Sequence, residues 1–364
     1  MSTTLSPEEK TTEPALQREP RGIISWIAAI SVKRFLIAIT AYAIALVVFG
    51  LVALSRGANP FGVFNAMLQS TVFNGGSIEQ VLLRAVPISL AALAVAVPAR
   101  AGLVNVGGEG QLIMGAVAAT GIGVEVGTHL GGPLAWLAMG LAGALAGAIW
   151  AGIAAVLRIN LGANEAVTTL LLNFIANDIM LYLIYQPWRD NLSSGQPESK
   201  PLAHGAQLPL LFNSQLDLGV LIAAVIAIGI WYVFRYSNWG FALRVVGGNP
   251  EAARRFGLPV KRLMLTSMLM GGALAGVGGM LNLAGVEFQL RPGITVTFGY
   301  VAFLASWLGR HEPLKVVLAA VLFSAIALSG NGIQLGYGLD GSIVNVLLGL
   351  IVLAPLTLSR SKSG

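Results

Sequence analysis

From Phe35 to Leu54 the chain runs without a single charged residue. A helix needs about 20 apolar residues in a row to cross the hydrocarbon core of a bilayer. Comparable stretches recur near Val81–Ala99, Leu103–Val126, Leu134–Leu157, Ala166–Tyr185, Leu218–Phe234, Leu263–Leu283, Thr297–Leu308, Val316–Ser329 and Ile343–Leu358. The chain therefore reads as an all-α polytopic integral membrane protein with about ten transmembrane helices, the eighth and ninth short enough to be tilted, broken or re-entrant. Composition agrees: 10% of the residues are charged, against roughly 25% in soluble domains. A closed barrel is excluded because no apolar/polar alternation of strand length recurs.

Lysine and arginine set the orientation. With the N-terminus inside, Lys10, Arg18, Arg21, Lys33, Arg34, Arg100, Arg158, Arg235, Arg244, Arg254, Arg255, Lys261, Arg262, Arg310, Lys315, Arg360 and Lys362 fall on the cytoplasmic side. Only Arg56, Arg84, Arg189, Lys200 and Arg291 fall outside, so seventeen stand against five and both termini are expected in the cytoplasm. The net charge of +6 is then a topology signal, and no nucleic-acid partner is expected. Residues 1–22 read as a disordered cytoplasmic tail, 23–34 as an interfacial helix lying on lipid, 35–358 as the transmembrane domain and 359–364 as a second cytoplasmic tail. The longest outside loop is Gln186–Asp217. There are no cysteines, and the three histidines lie far apart, so no metal site is expected.

The most informative soluble stretch is the inside loop 235–262. Asn249 suits an N-cap, Pro250 the first helical position, and Glu251 the positive helix start. Ala252, Ala253, Arg254 and Arg255 continue a helix of about two turns. Gly257 supplies a left-handed stop before Pro259. Stops at both ends favour a docking element over a plain basic loop.

Polar residues within the spans are the other signal. Asn105, Glu109 and Gln111 stand among Gly102, Gly107, Gly108 and Gly110, where a straight helix is disfavoured. A break at membrane depth is tolerated only against protein or a watery cavity, so this region is either a structural kink or part of a path. In the fifth span Thr169, Asn173 and Asn177 are four apart and share a stripe, with Asn164, Glu165 and Thr168 close to its start. These groups either bind a solute or hold helices together. Phe174 beside them either stacks on a base or packs. Gly271, Gly272, Gly276, Gly278 and Gly279 read as a close-packing face or a hinge. Asn282, Glu287, Gln289 and Arg291 lie at the outer end of the seventh span, as an outer gate or a contact for another protein.

Three motifs carry a resemblance. Asn249-Pro250-Glu251-Ala252-Ala253, with Gly257 following, resembles the coupling segment of bacterial ABC importer permeases of the simple-sugar, nucleoside and branched-chain amino-acid group. Arg100 to Gln111 is similar to the R-x-G-L-x-N-I-G-x-E-G-Q signature of the nucleoside and sugar members, and Asn164 to Asn173 resembles their N-E-V-I-S-T-x-M-L-N stretch. Gly247-Gly248 departs from the usual Gly-Glu. The resemblance implies a permease domain whose segment 235–262 couples to an ABC ATPase, with ATP and Mg bound by that partner and no cofactor on this chain. It further implies a second permease subunit, usually a different chain, an extracytoplasmic substrate-binding protein, and a bacterial inner-membrane location. Consistently, the chain has no Gly-x4-Gly-Lys-[Ser/Thr] phosphate loop and is expected not to be an enzyme. Nucleosides are the first expected substrates and simple sugars the second. A proton- or sodium-coupled transporter, with Glu109 or Asp178 titrating, is a reading of another class.

Overall fold

The structure is a computed structural model that describes residues 32–125, 129–130, 132–192, 195–295 and 297–359. The expected tail 1–22, residues 23–31 of the expected interfacial helix, and residues 360–364 lie outside the described residues.

Regular structure among the described residues is helical, with isolated antiparallel bridges joining Arg189 to Ser199 and Leu210 to Asp217. In chain order the helices are α1 (Val32–Ser55), α2 (Pro60–Leu68, continued by a π turn Gln69–Phe73), α3 (Ser77–Ala99), α4 (Gly108–Glu125), α5 (Gly132–Leu161), α6 (Glu165–Tyr185) and α7 (Leu218–Tyr236). There follow α8 (Asn238–Gly248), α9 (Pro250–Arg255), α10 (Val260–Asn282, with a π turn Leu283–Glu287), α11 (Phe298–Leu308), α12 (Pro313–Tyr337) and α13 (Val344–Ser359). Six of them are long and apolar enough to cross a membrane, namely α3, α5, α6, α7, α10 and α12. A seventh arises if α1 and α2, bent by 113° where Asn59 caps α2, count as one span.

The differences from the expected spans have local causes. The third span is a full run in the sequence, but residues 103–106 are irregular and the helix begins only at Gly108. The eighth is an 11-residue helix. The ninth is longer than its apolar run, because α12 continues through Gly330 and Gly332 to Tyr337. Those glycines lie against Gly341 and Ser70, so close packing carries the helix past the point where hydropathy falls.

The centre of the bundle is α3 and α10. Every residue of α3 from Ala85 to Pro98 is buried, and α10 packs against α3, α4 and α5. Lipid tails are as apolar as leucine, so close approach of small residues must hold helices together. The glycines expected to pack do so. A Cβ added to Gly272 or Gly276 would overlap Gly147 or Gly143 of α5, and one on Gly271 would lie 2.6 Å from the Ala94 carbonyl of α3. The outer face of α5 reverses the chemistry: Leu134, Leu137, Leu141, Leu145 and Ile149, three or four residues apart, are all exposed.

Candidate functional site

The site grows from the break between α3 and α4. Gly102 takes the left-handed conformation (φ +78°). Leu103 N donates to Pro98 O (3.1 Å) and Gly102 N to Ala99 O (3.1 Å), the double bond of a Schellman stop. The irregular segment beyond it exposes backbone groups that at this depth need partners from protein. Val104 N donates to Glu165 Oε1 (3.2 Å), Val106 N to Thr169 Oγ1 (3.1 Å) and Gly110 N to Asn173 Oδ1 (2.8 Å), while Asn173 Nδ2 donates back to Val106 O (3.0 Å). Asn105 Oδ1 accepts from Gly107 N (2.9 Å) and Gln111 Nε2 (3.0 Å), and its Nδ2 donates to Ala94 O (3.0 Å). Asn105 is 0% and Gln111 1% exposed. Asn105, Gln111, Glu165, Thr169 and Asn173 thus form one knot that satisfies the broken backbone. Glu165 also pairs with Arg158 (3.3 Å). Asn164 stays outside it, exposed, capping α6 through Ala166 N (3.0 Å) and Val167 N (3.3 Å).

Beside the knot lies a cavity of about 230 Å³, lined by Glu109, Asn173, Phe174, Asn177, Thr295 and Tyr300 among others. Two helix starts meet here: Gly108 of α4 lies against Gly299 of α11. Glu109 Oε1 accepts from Thr295 Oγ1 (2.7 Å) and Oε2 from Gly299 N (2.6 Å), so the carboxylate caps the first turn of α11. Phe174 is 60% exposed and Tyr300 38%. No side-chain hydrogen bond of Asn177 occurs among the described residues, which leaves its amide free toward the cavity. The lining offers an amide that donates and accepts, and two aromatic faces that stack. Sequence reading missed Tyr300 and Thr295; the shortness of the eighth span was the available signal. Among the described residues no group of three or more His, Asp or Glu could hold a metal.

Of the four residues at the far end of α10, Asn282 is buried, Glu287 and Gln289 are partly buried and Arg291 is exposed. Asn282 Nδ2 donates to Ile294 O (3.1 Å), Gln289 hydrogen-bonds Glu198, and Glu287 pairs with Arg291. The loop 186–217 is stitched to the same segment, with Ser199 N donating to Leu290 O (2.9 Å) and Leu202 N to Phe288 O (2.8 Å). Of the four, Gln289 ties directly to this loop through Glu198, while Asn282, Glu287 and Arg291 bond within the segment 282–294. Above them the Arg84 guanidinium lies over the Phe298 ring (5.1 Å).

At the opposite end, α8 and α9 form the segment singled out by its caps. Asn249 Oδ1 accepts from Glu251 N and Ala252 N (both 3.0 Å), with Pro250 at the helix start. Gly257 (φ +80°) closes α9 through Gly257 N to Arg254 O and Leu258 N to Ala253 O, both 3.0 Å. Ala253 is buried, Glu251 pairs with Arg254 (2.8 Å) and Arg255 (3.6 Å), and Phe256 projects outward, 84% exposed. Gly247 of α8 packs on the Arg100–Gly102 turn so closely that a Cβ there would strike the Arg100 carbonyl. The helix α8, which leads into the capped α9, thus rests directly on the turn that leads into the knot.

Residues 77–356 match the family described as branched-chain amino acid transport system, permease component. The chain is 32% identical over 356 residues to the glucose ABC transporter permease protein TsgB13 of Haloferax volcanii, covering 94% of this chain and 91% of that protein. It is 30% identical over 301 residues to the guanosine ABC transporter permease protein NupP of Bacillus subtilis (80% and 83% covered). It is 26% identical over 332 residues to the nucleoside ABC transporter permease protein NupB of Lactococcus lactis (88% and 90%). The match spans the central bundle, the knot, the cavity and α9, and the chain belongs to this family of ABC transporter permease components.

Proposed function

We propose that this permease imports nucleosides across a bacterial inner membrane, passing them along the cavity of Glu109, Asn173, Phe174, Asn177 and Tyr300. The observation that carries the reading is the pairing of two exposed aromatic rings with the unpartnered Asn177 amide. Rings stack on a base through its face, and an amide matches a base edge or a ribose hydroxyl. Asn105, Gln111, Asn164, Glu165 and Thr169 hold that wall in place. The ion-coupled reading draws no support from the family.

The remaining parts of the machine follow the same proposal. The chain crosses about ten times with both termini in the cytoplasm, the shorter α4, α11 and α13 completing the count. A second permease chain covers the cavity's open side, an extracytoplasmic binding protein delivers the solute, and ATP with Mg is hydrolysed on separate ATPase subunits. Those subunits engage α9 through Asn249 to Gly257, with Phe256 and the arginines at the contact. Movement of α9 reaches the cavity through Gly247, the Arg100–Gly102 turn and the knot.

Uptake of labelled uridine by cells carrying the intact system, against a strain lacking only this chain, tests the substrate. Competition by unlabelled nucleosides and not by sugars is expected. A simple sugar is the second reading, favoured by the similarity to a glucose permease, and competition by glucose or ribose alone would establish it instead. For the coupling step, Arg254→Glu with Arg255→Glu should leave the protein inserted and its partners' ATPase active while transport falls about tenfold or more, the loss of charged contacts worth roughly 1.5–3 kcal/mol. Unchanged uptake would remove α9 from the coupling path.

A further inference from the structure

The end of the bundle that carries α8 and α9 holds a second cavity, of about 150 Å³, between α7, α8 and the start of α12. Its charge is lopsided. Arg100, Arg235 and Arg244 line it against the single carboxylate of Glu312. Glu312 is taken by Arg100 (3.0 Å), whose guanidinium also lies over the Phe234 ring (4.6 Å). Arg235 and Arg244 have no carboxylate within ion-pair distance among the described residues, so no acid offsets these two charges at the cavity, although the Arg235 guanidinium lies over the Tyr236 ring (5.8 Å). The 25-residue helix α12 starts at the same spot with no side chain capping it, which adds the positive end of its dipole.

The surroundings place this cavity at headgroup depth. The exposed face of α7 is aliphatic at Leu221, Val225 and Ile228 and turns aromatic at Tyr232 and Tyr236. Those two rings lie 4.9 Å apart, with Trp231 meeting Tyr236 edge-on at 6.1 Å. Tyrosine and tryptophan collect where hydrocarbon gives way to headgroups, and Trp231 itself lines the cavity. A soluble anion needs no such belt beside its site, whereas a lipid uses both: its chain runs along the aliphatic stripe and its phosphate meets the arginines.

We propose that this cavity binds the phosphodiester headgroup of an anionic phospholipid, held by Arg235 and Arg244 with Arg100 behind them. A bound lipid then bears on the Arg100 turn on which α8 rests, so the lipid composition of the membrane biases the coupling segment.

The test uses the purified full chain in zwitterionic detergent, titrated with phosphatidylglycerol and, separately, phosphatidylcholine, with retention of bound lipid read by native mass spectrometry and stabilisation by the melting curve. Phosphatidylglycerol is expected to bind and raise the melting temperature, phosphatidylcholine to do neither. Arg235→Gln with Arg244→Gln should weaken phosphatidylglycerol binding roughly 30-fold, and Arg244→Gln alone roughly fivefold, from about one interaction per arginine near the headgroups. Arg235→Lys with Arg244→Lys should restore most of the binding, which separates lost charge from lost fold. Equal binding by the glutamine and wild-type chains would overturn the proposal. So would inorganic phosphate displacing the lipid and reproducing its stabilisation, which would assign the cavity to a soluble phosphate.

Discussion

Asn105 and Asn177 carry the same amide into the membrane-embedded part of the chain and use it in opposite ways. Asn105 is fully enclosed, and its oxygen and nitrogen are spent on Gly107, Gln111 and Ala94. Asn177 sits in the wall of the 230 Å³ cavity with no side-chain hydrogen bond among the described residues. Asn173 stands between them, bonded to Gly110 and Val106 on one side and lining the cavity on the other. A polar side chain at membrane depth is thus not by itself a mark of a solute path. What separates mortar from wall is whether its hydrogen-bonding capacity is already filled by the chain.

Substitutions to leucine should separate the two regions. Asn105→Leu strands the Gly107 amide, the Gln111 side chain and the Ala94 carbonyl in a dry interior, a cost of roughly 3 kcal/mol or more. It should accumulate poorly and melt well below the wild type in detergent; a wild-type melting curve would mean the knot does not hold the break. Asn173→Leu touches both regions and should lower both the melting temperature and uptake, by roughly 2 kcal/mol in stability; loss of uptake alone would move Asn173 wholly to the cavity side. Asn177→Leu should leave the melting curve in place and lower uptake about fivefold, as one hydrogen bond to a solute is worth about 1 kcal/mol. Normal uptake kinetics there would take the cavity out of the path. Glu165→Gln has the smallest effect, because the new amide oxygen still accepts from Val104 N while the half-exposed Arg158 loses a partner worth under about 1 kcal/mol. A larger fall in stability would mean that the ion pair, and not the hydrogen bond, anchors the start of α6.

The stripe of Thr169, Asn173 and Asn177 shows how far spacing carries a reading. Four-residue intervals put the three on one face, and all three do face the break or the cavity. Spacing is silent on what lies opposite. Thr169 meets the backbone of Val106, 63 residues back along the chain, and Asn177 meets open space. Glu109 was equally visible as a costly charge, but its partners Thr295 and Gly299 lie 186 and 190 residues away. The four residues at the end of α10 likewise show in sequence as a polar cluster, and only the return of the loop 186–217 gives Gln289 its partner Glu198, 91 residues back along the chain.

Features that depend on the solvent or on near neighbours were open to reading from the residues alone. Hydropathy and the skew of arginine and lysine act against the bilayer, one segment at a time, and so predict a helical membrane protein without knowledge of its partners. The caps of α9 were readable for a similar reason, since Asn249 and Gly257 bond to amides and carbonyls within five residues of themselves. The late start of α4, the continuation of α12 past its apolar run, and the division of polar groups between knot and cavity belong to the assembled fold. Each depends on backbone groups brought together from distant parts of the chain, in a medium where water cannot supply the missing hydrogen bond.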